Sequence, residues 1–288
     1  MRKFLLTIFI VFTSAITFAQ KGVPSFGKID KEDLLLKECE FDKDAAACKL
    51  LSYGDVHYEI LGEDFNIISE KRIRIKILKE KGLDEANIKI HFYSRQNYEN
   101  IHNISGITYN LDNAGNVTTT KLEKSSIFTK PINNKVSEIS FTMPDVKVGS
   151  VIEFKYTDTK KSIAAIDDWY FQDDIPTRLS IYKILIPSVF RFTTQTLTYQ
   201  TVDFKTEAVI DNLLYKGSII SSQSESRIYT LKNIVALRKE PFMGAEKDYL
   251  QRIVCQLSRI DYPNGSVEEV RSTWPKLTED LLKDEDFG

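Results

Sequence analysis

Histidine, cysteine and tryptophan are scarce in this 288-residue chain, at three, three and two residues. That scarcity removes most metal and nucleophilic chemistry at the outset. Zinc needs a compact set of nitrogen and sulfur ligands, whereas His57, His91 and His102 are dispersed over separate predicted strands or loops. No G-x-S-x-G elbow, H-E-x-x-H helix or phosphate-cradling glycine loop occurs, so hydrolase, metalloprotease and nucleotide chemistry have no anchor in the sequence, and no cofactor is expected. An excess of one charge is also missing. With 39 basic and 41 acidic residues well mixed along the chain, there is no footprint for nucleic acid. Past the first 19 residues no apolar run approaches the roughly 18 residues that a membrane helix needs.

What is present starts at Met1. Arg2 and Lys3 form a charged start, Phe4 to Ile16 an apolar stretch, and Thr17-Phe18-Ala19 ends in a small residue suited to cleavage before Gln20. This pattern predicts a secretory signal over 1–19 and a periplasmic or secreted protein. No cysteine stands at the cleavage point to take a lipid, so no membrane attachment is expected after signal removal. The remaining 269 residues carry a formal charge of −4 and suffice for a sizeable buried core.

Asp30 is placed to cap a helix over Lys31–Glu38. From Ala45 the apolar period changes to two, the signature of successive antiparallel strands. In Lys71–Ile77, Ile73, Ile75 and Ile77 share one face, and Arg72, Arg74 and Lys76 share the other, which reads as wet. Three hairpins are expected: 71–77 with 87–92, 107–111 with 117–122, and 137–142 with 150–157. Thr177–Ile186 reads as a central strand covered on both sides. Further strands are expected at 169–172, 191–199, 205–210, 213–220, 227–233 and 249–260, with a final helix over Pro275–Lys283.

The fold expected is all-β, an antiparallel β-sandwich or super-sandwich, as one or two stacked sandwiches, with a short helix at each end. The organisation is a signal at 1–19, a polar helical lead at 20–44, a first β layer or subdomain at 45–165, a second at 166–262, and the start of a helical linker at 263–288.

Candidate sites each have a plainer explanation. Asp167, Asp168, Asp173 and Asp174 supply hard oxygen ligands suited to calcium, but without a D-x-D-x-D-G loop to order them they read as solvated strand-end acids, and no metal is expected. Trp169, Tyr170 and Phe171 have rings suited to a sugar or peptide, although alternation makes Trp169 and Phe171 core anchors. Cys255 shares a strand face with Ile253 and Leu257 and reads as a buried, inert thiol. Cys39 and Cys48 can pair across a short loop in an oxidising compartment, yet an odd count and irregular spacing establish no framework. Asn103-Ile-Ser105, Asn116-Val-Thr118 and Asn264-Gly-Ser266 match the glycosylation acceptor pattern, which is common by chance.

Four segments occur in a recognisable order: Lys71–Gly82, Gly149–Tyr156, Trp169-Tyr-Phe-Gln-Asp-Asp-Ile-Pro176 and Tyr182–Pro187. In them the chain resembles the β-sandwich domain of unknown function found immediately before transglutaminase-like cores in exported bacterial proteins. The likeness runs from about Ala45 to Ile260, with Glu240-Pro-Phe-Met243 and Ser272-Thr-Trp-Pro275 fitting the family's last segment. It implies that Trp169, Phe171, Gln172, Pro176, Pro187 and Trp274 are structural. It also implies that a Cys-His-Asp core follows in such proteins, and none of the three cysteines here matches it. The resemblance thus implies a non-catalytic module, not itself an enzyme, whose partners are a C-terminal transglutaminase-like domain and a peptide or cell-wall substrate. A free-standing glycan- or peptide-binding protein is the alternative, and an undetected hydrolase the third reading.

Overall fold

The computed structural model describes residues 23–215, 218–262, 264–270 and 274–283. The expected signal sequence and the last residues, Phe287 and Gly288 among them, lie outside that range. Helix α1 (Lys31–Leu35) is followed by β1 (Ala47–Leu61), β2 (Asp64–Ile77), β3 (Asn87–Tyr93), β4 (Glu99–Leu111), β5 (Val117–Lys121), β6 (Phe128–Pro131), β7 (Val136–Thr142) and β8 (Val151–Lys160). The chain continues through β9 (Trp169–Tyr170), β10 (Thr177–Pro187), β11 (Phe190–Leu197), β12 (Asp203–Tyr215), β13 (Ser218–Ile234), β14 (Arg252–Asp261) and β15 (Val267–Glu269) to α2 (Trp274–Lys283). The all-β expectation holds. No helix among the described residues is long and apolar enough to cross a membrane.

An eight-stranded sheet, in the order β12-β13-β10-β1-β2-β8-β4-β5, forms the backbone of the molecule. One face, here called inner, is covered by two smaller sheets side by side: β11, β14 and β15 with β9 on β14, and β3-β7-β6. The inner-face side chains follow from period-two alternation across registered strands. Tyr182, Gly54, Lys71 and Tyr156 form one cross-sheet row, and Ile184, Val56, Ser69 and Asp158 the next. Val56, Tyr58, Ile67, Tyr182, Ile184 and Tyr229 pack against Trp169, Phe192 and Ile253 of the first small sheet. Ile75, Ile77, Ile152 and Phe154 pack against Ile88, Ile90, Ile139 and Phe141 of the second.

Several expectations change in the structure. Lys71–Ile77 does not pair with 87–92: β2 lies between β1 and β8, and β3 belongs to a small sheet with β7. Likewise 137–142 and 150–157 are not a hairpin, because β7 joins β3 and β6 while β8 joins β2 and β4. The cause is that the chain steps repeatedly between layers, and both layers have the same alternation. The hairpin at 107–111 with 117–121 is present, closed at Gly115 with φ of 77°. Segments 205–210 and 213–220 are not separate strands: the first and the start of the second lie in β12, and its end in β13, with 216–217 outside the described residues. The main sheet takes strands from both sides of residue 165, joined by the parallel pair β1–β10, so the Asp158–Asp168 stretch is a connection inside one architecture. Strand β10 is central, but it is not covered equally on both sides: Ser180, Tyr182, Ile184 and Ile186 of its inner face are buried, while Leu179, Ile181 and Leu185 are half-buried.

The face of β2 that reads as wet is not: Arg74 and Lys76 are each 1 % exposed. The lead segment covers them. Arg74 donates to the Lys28 carbonyl at 2.5 Å, and the Lys76 ammonium to the Leu34 carbonyl at 2.6 Å and to that of Gly149 at 2.5 Å. Helix α1 is accordingly shorter than expected, ending at Leu35, and Asp30 makes no side-chain cap bond. A single turn this short is held by tertiary contacts, here Asp33 with Arg178 at 2.6 Å and the packing of Leu34, rather than by its own cap.

Candidate functional site

Between the two apolar cores of the inner face, alternation on β2 and β8 places Lys71, Asp158 and Lys160 on the floor of a seam, and the β8–β9 connection brings Asp167 down onto them. Lys71 lies 3.2 Å from Asp167 and 3.9 Å from Asp158. Lys160 pairs with Asp167, and lies 3.6 Å from Asp158 and 3.5 Å from Glu99. Glu99, Asp158 and Asp167 approach closely enough to share a cation, but the Lys160 ammonium contacts all three and supplies the positive charge there. Burial pushes the Asp158 carboxyl up to about 7 against the pull of both lysines. Asp167 is half-buried, and Lys71 and Lys160 hold it below its ordinary value.

The opposite face carries a second network. Glu153 accepts from Arg72 at 2.7 Å, Arg74 at 3.0 Å, the Tyr109 hydroxyl at 2.9 Å and the Gly27 amide at 3.1 Å. Asp33 reaches Arg74 at 3.5 Å. Burial lowers the Lys76 ammonium to about 8. Alternation places Arg72, Arg74 and Lys76 together on one face of β2 but reads that face as solvated, and Glu153, on the side of β8 that also carries Lys155 and Thr157, gives no signal that it pairs with them.

The acidic cluster does not assemble as a calcium loop. Asp167 binds two lysines, Asp168 lies 3.7 Å from Arg252, and Asp173 is 2.5 Å from Lys49. Asp174 is raised by burial and by Asp173 beside it, and Glu85 is pushed up to about 7 by burial and by Asp174.

The histidines remain apart, on β1, β3 and β4. His57 meets Glu59 at 3.4 Å, His91 meets Glu138 at 2.9 Å and His102 meets Thr159 at 2.9 Å. Cys255 is buried against Ile253 and Leu257, and burial pushes its thiol up to about 11. Cys39 and Cys48 come together, both buried in the apolar cluster beneath the lead. Among the described residues no imidazole is hydrogen-bonded to a cysteine.

Of the family-motif residues, Trp169, Phe171, Gln172, Pro176 and Pro187 are buried. Trp169 lies over Gly54, where an added Cβ would come within 2.5 Å of the ring, stacks on Tyr182 at 4.8 Å and donates to Ser180 at 3.0 Å. Phe171 is 1 % exposed. Gln172 donates to the Val235 carbonyl at 3.1 Å and accepts from the Gln251 amide at 3.3 Å. Pro176 accepts from the Lys49 amide at 2.8 Å, and Pro187 ends β10. Trp274 opens α2, with its side chain outside the described ones.

A cleft that period-two alternation does not reveal opens between elements of two different sheets. The edge strands β11 and β12 diverge where the small sheet meets the main one, leaving a cavity of about 620 Å³. Phe192 and Thr194 line one wall, and Phe204 and Thr206 the other. On its floor Arg227 donates to Glu225 at 2.8 Å, to Thr194 at 2.9 Å and to the Phe192 carbonyl at 3.2 Å. Phe204, 48 % exposed, stacks on Tyr229 at 4.7 Å. Exposed ring, guanidinium, carboxylate and hydroxyls together suit a polar ligand with an apolar face.

Compared with known proteins, residues 64–227 match the model of a domain of unknown function with solved structures, DUF3857. The fold is similar to the crystal structure of a "putative protease" from Parabacteroides distasonis ATCC 8503, with a TM-score of 0.55 and 15 % identity, over 76 % of this chain and 41 % of that one. The chain therefore spans about two-fifths of that protein's length, and the likeness concerns the fold. No curated protein matches.

Proposed function

The chain belongs to the DUF3857 family of domains of unknown function, and from that premise we propose that it is an exported, non-catalytic β-sandwich module that holds an extended peptide or cell-wall substrate for a neighbouring domain. The observation that carries this reading is a contrast in how side chains are used. The thiols are buried, the histidines are separate and the buried carboxylates face lysines or arginines, whereas the β11–β12 cleft offers an exposed ring beside a charged pair and free strand edges. Such an edge suits an extended chain, which adds backbone hydrogen bonds while its side chains enter the cavity. The likeness to a longer chain described as a protease supports a role beside a peptide-processing domain, a transglutaminase-like core being the kind that the family resemblance suggests.

The test is calorimetric titration of the full mature chain with extended peptides and with peptidoglycan fragments. Micromolar binding to one class, weakened tenfold or more by Phe204→Ala or Arg227→Ala without any cleavage of the ligand, is the expected result. Turnover by the chain alone, or binding that both substitutions leave untouched, overturns it. Binding that a tethered C-terminal domain does not tighten favours the free-standing binder.

A further inference from the structure

The lead segment turns back on itself just before β1. The Asp42 amide donates to the Cys39 carbonyl at 3.2 Å, the Ala45 amide donates to the Asp42 carbonyl at 3.1 Å, and Cys39 and Asp42 form an isolated antiparallel bridge. This turn delivers Cys48, the second residue of β1, to the underside of Cys39. Both residues are 1 % exposed and share one cluster with Leu34, Leu50, Leu78, Tyr109 and Val151. Cys39 is a neighbour of the Cys48 thiol and, after burial, the main influence raising it. The third cysteine, Cys255, sits in the core on the other face of the main sheet, so it cannot compete for either partner.

We propose that Cys39 and Cys48 are a modification site, oxidised to a disulfide that closes the loop between them and fastens the end of the lead to β1. The oxidant is a disulfide of the exported compartment, of protein or glutathione type, RS–SR. One cysteine thiolate attacks a sulfur of RS–SR, forming a mixed disulfide and expelling RS⁻, which takes a proton. The second thiolate attacks the protein sulfur of that mixed disulfide and expels the second RS⁻, which takes the other proton. Two cysteines are oxidised, one external disulfide is reduced to two RSH, and both protons come from the cysteines. Burial pushes the Cys48 thiol far up and leaves it inert once the lead has closed. Exchange therefore takes place while the lead is open, and the finished bond is shielded.

The pairing rests on the exported reading only for where it occurs, and the experiment separates the two. The full mature chain is refolded with a reduced and oxidised glutathione couple, then denatured, alkylated and mapped by mass spectrometry. The expected product has lost two hydrogens, joins the Cys39 and Cys48 peptides, and leaves Cys255 alkylated. Reduction should lower the melting temperature by roughly 5–10 °C, as a closed loop of about ten residues in a domain of this size implies. The Cys39→Ser/Cys48→Ser protein should show no such reductant-dependent shift, and Cys255→Ser should keep it. Quantitative alkylation of Cys39 and Cys48 after oxidative refolding, or a wild-type melting temperature indifferent to reductant, overturns the proposal. Pairing in vitro with free thiols in protein taken from cells would instead count against export.

Discussion

Two ionic networks lie back to back on β2 and β8, and they differ in what surrounds the carboxylate. Glu153, on the face beneath the lead, accepts from two guanidinium groups, a phenol and a backbone amide. Asp158, on the face between the two small sheets, has its ammonium partners at 3.6 and 3.9 Å and one oxygen, Oδ1, without a hydrogen bond. Both are almost wholly buried, at 0 % and 1 % exposure. The two carboxylates are equally buried but differ in how many hydrogen bonds they accept. Where such bonds are few, burial favours the protonated form, and Asp158 is pushed up to about 7.

The contrast can be broken most severely at Glu153. Glu153→Ala removes the carboxylate that Arg72 and Arg74 share, leaving buried Arg74 with only the Asp33 carboxylate, at 3.5 Å, and should cost about 3–5 kcal/mol, read from the midpoint of denaturant unfolding. A loss below about 1 kcal/mol would mean that solvent reaches beneath the lead.

Asp158→Asn sharpens the comparison through pH. The folded state holds a proton on Asp158 up to about 7, against an ordinary value of 3.8. Between those values the folded state binds more protons than the unfolded one, so this group's contribution to stability falls as pH rises from about 4 to 7. The substitution should stabilise the protein at pH 8 by on the order of 2 kcal/mol, have little effect at pH 4, and remove that part of the slope. Parallel wild-type and variant profiles would show that the seam does not titrate.

Gly54→Ala probes the same inner face without charge. Its Cβ would meet the Trp169 ring at 2.5 Å and must displace it, costing about 1–3 kcal/mol with a change in tryptophan fluorescence. Unchanged emission would show that the ring moves aside freely.

Much of this was legible from the residues. Ile73, Ile75 and Ile77 announced a buried face, Trp169 and Phe171 announced core anchors, and the hairpin around Gly115 followed from turn chemistry. Partners were not legible, because period-two alternation says which side a residue faces and not which strand lies beside it. Arg72, Arg74 and Lys76 were misread as solvated for a related reason. A stretch of lead far upstream in sequence covers them, and only its carbonyls and Asp33, distant along the chain, reveal that the basic face has partners. The β11–β12 cleft was not legible for a different reason: its walls are close in sequence, but they belong to two different sheets, and alternation does not show where sheets diverge.

The parallel join between β1 and β10 sets the order in which the molecule can assemble. Lys49 lies opposite Thr177, roughly 130 residues later, so β1 cannot gain its second neighbour in the sheet until the chain has been made through Pro187. Until then β1 presents an open edge, and a fragment ending at β8 would expose it to other chains. A nascent polypeptide held unfolded until synthesis has passed β10 avoids that hazard.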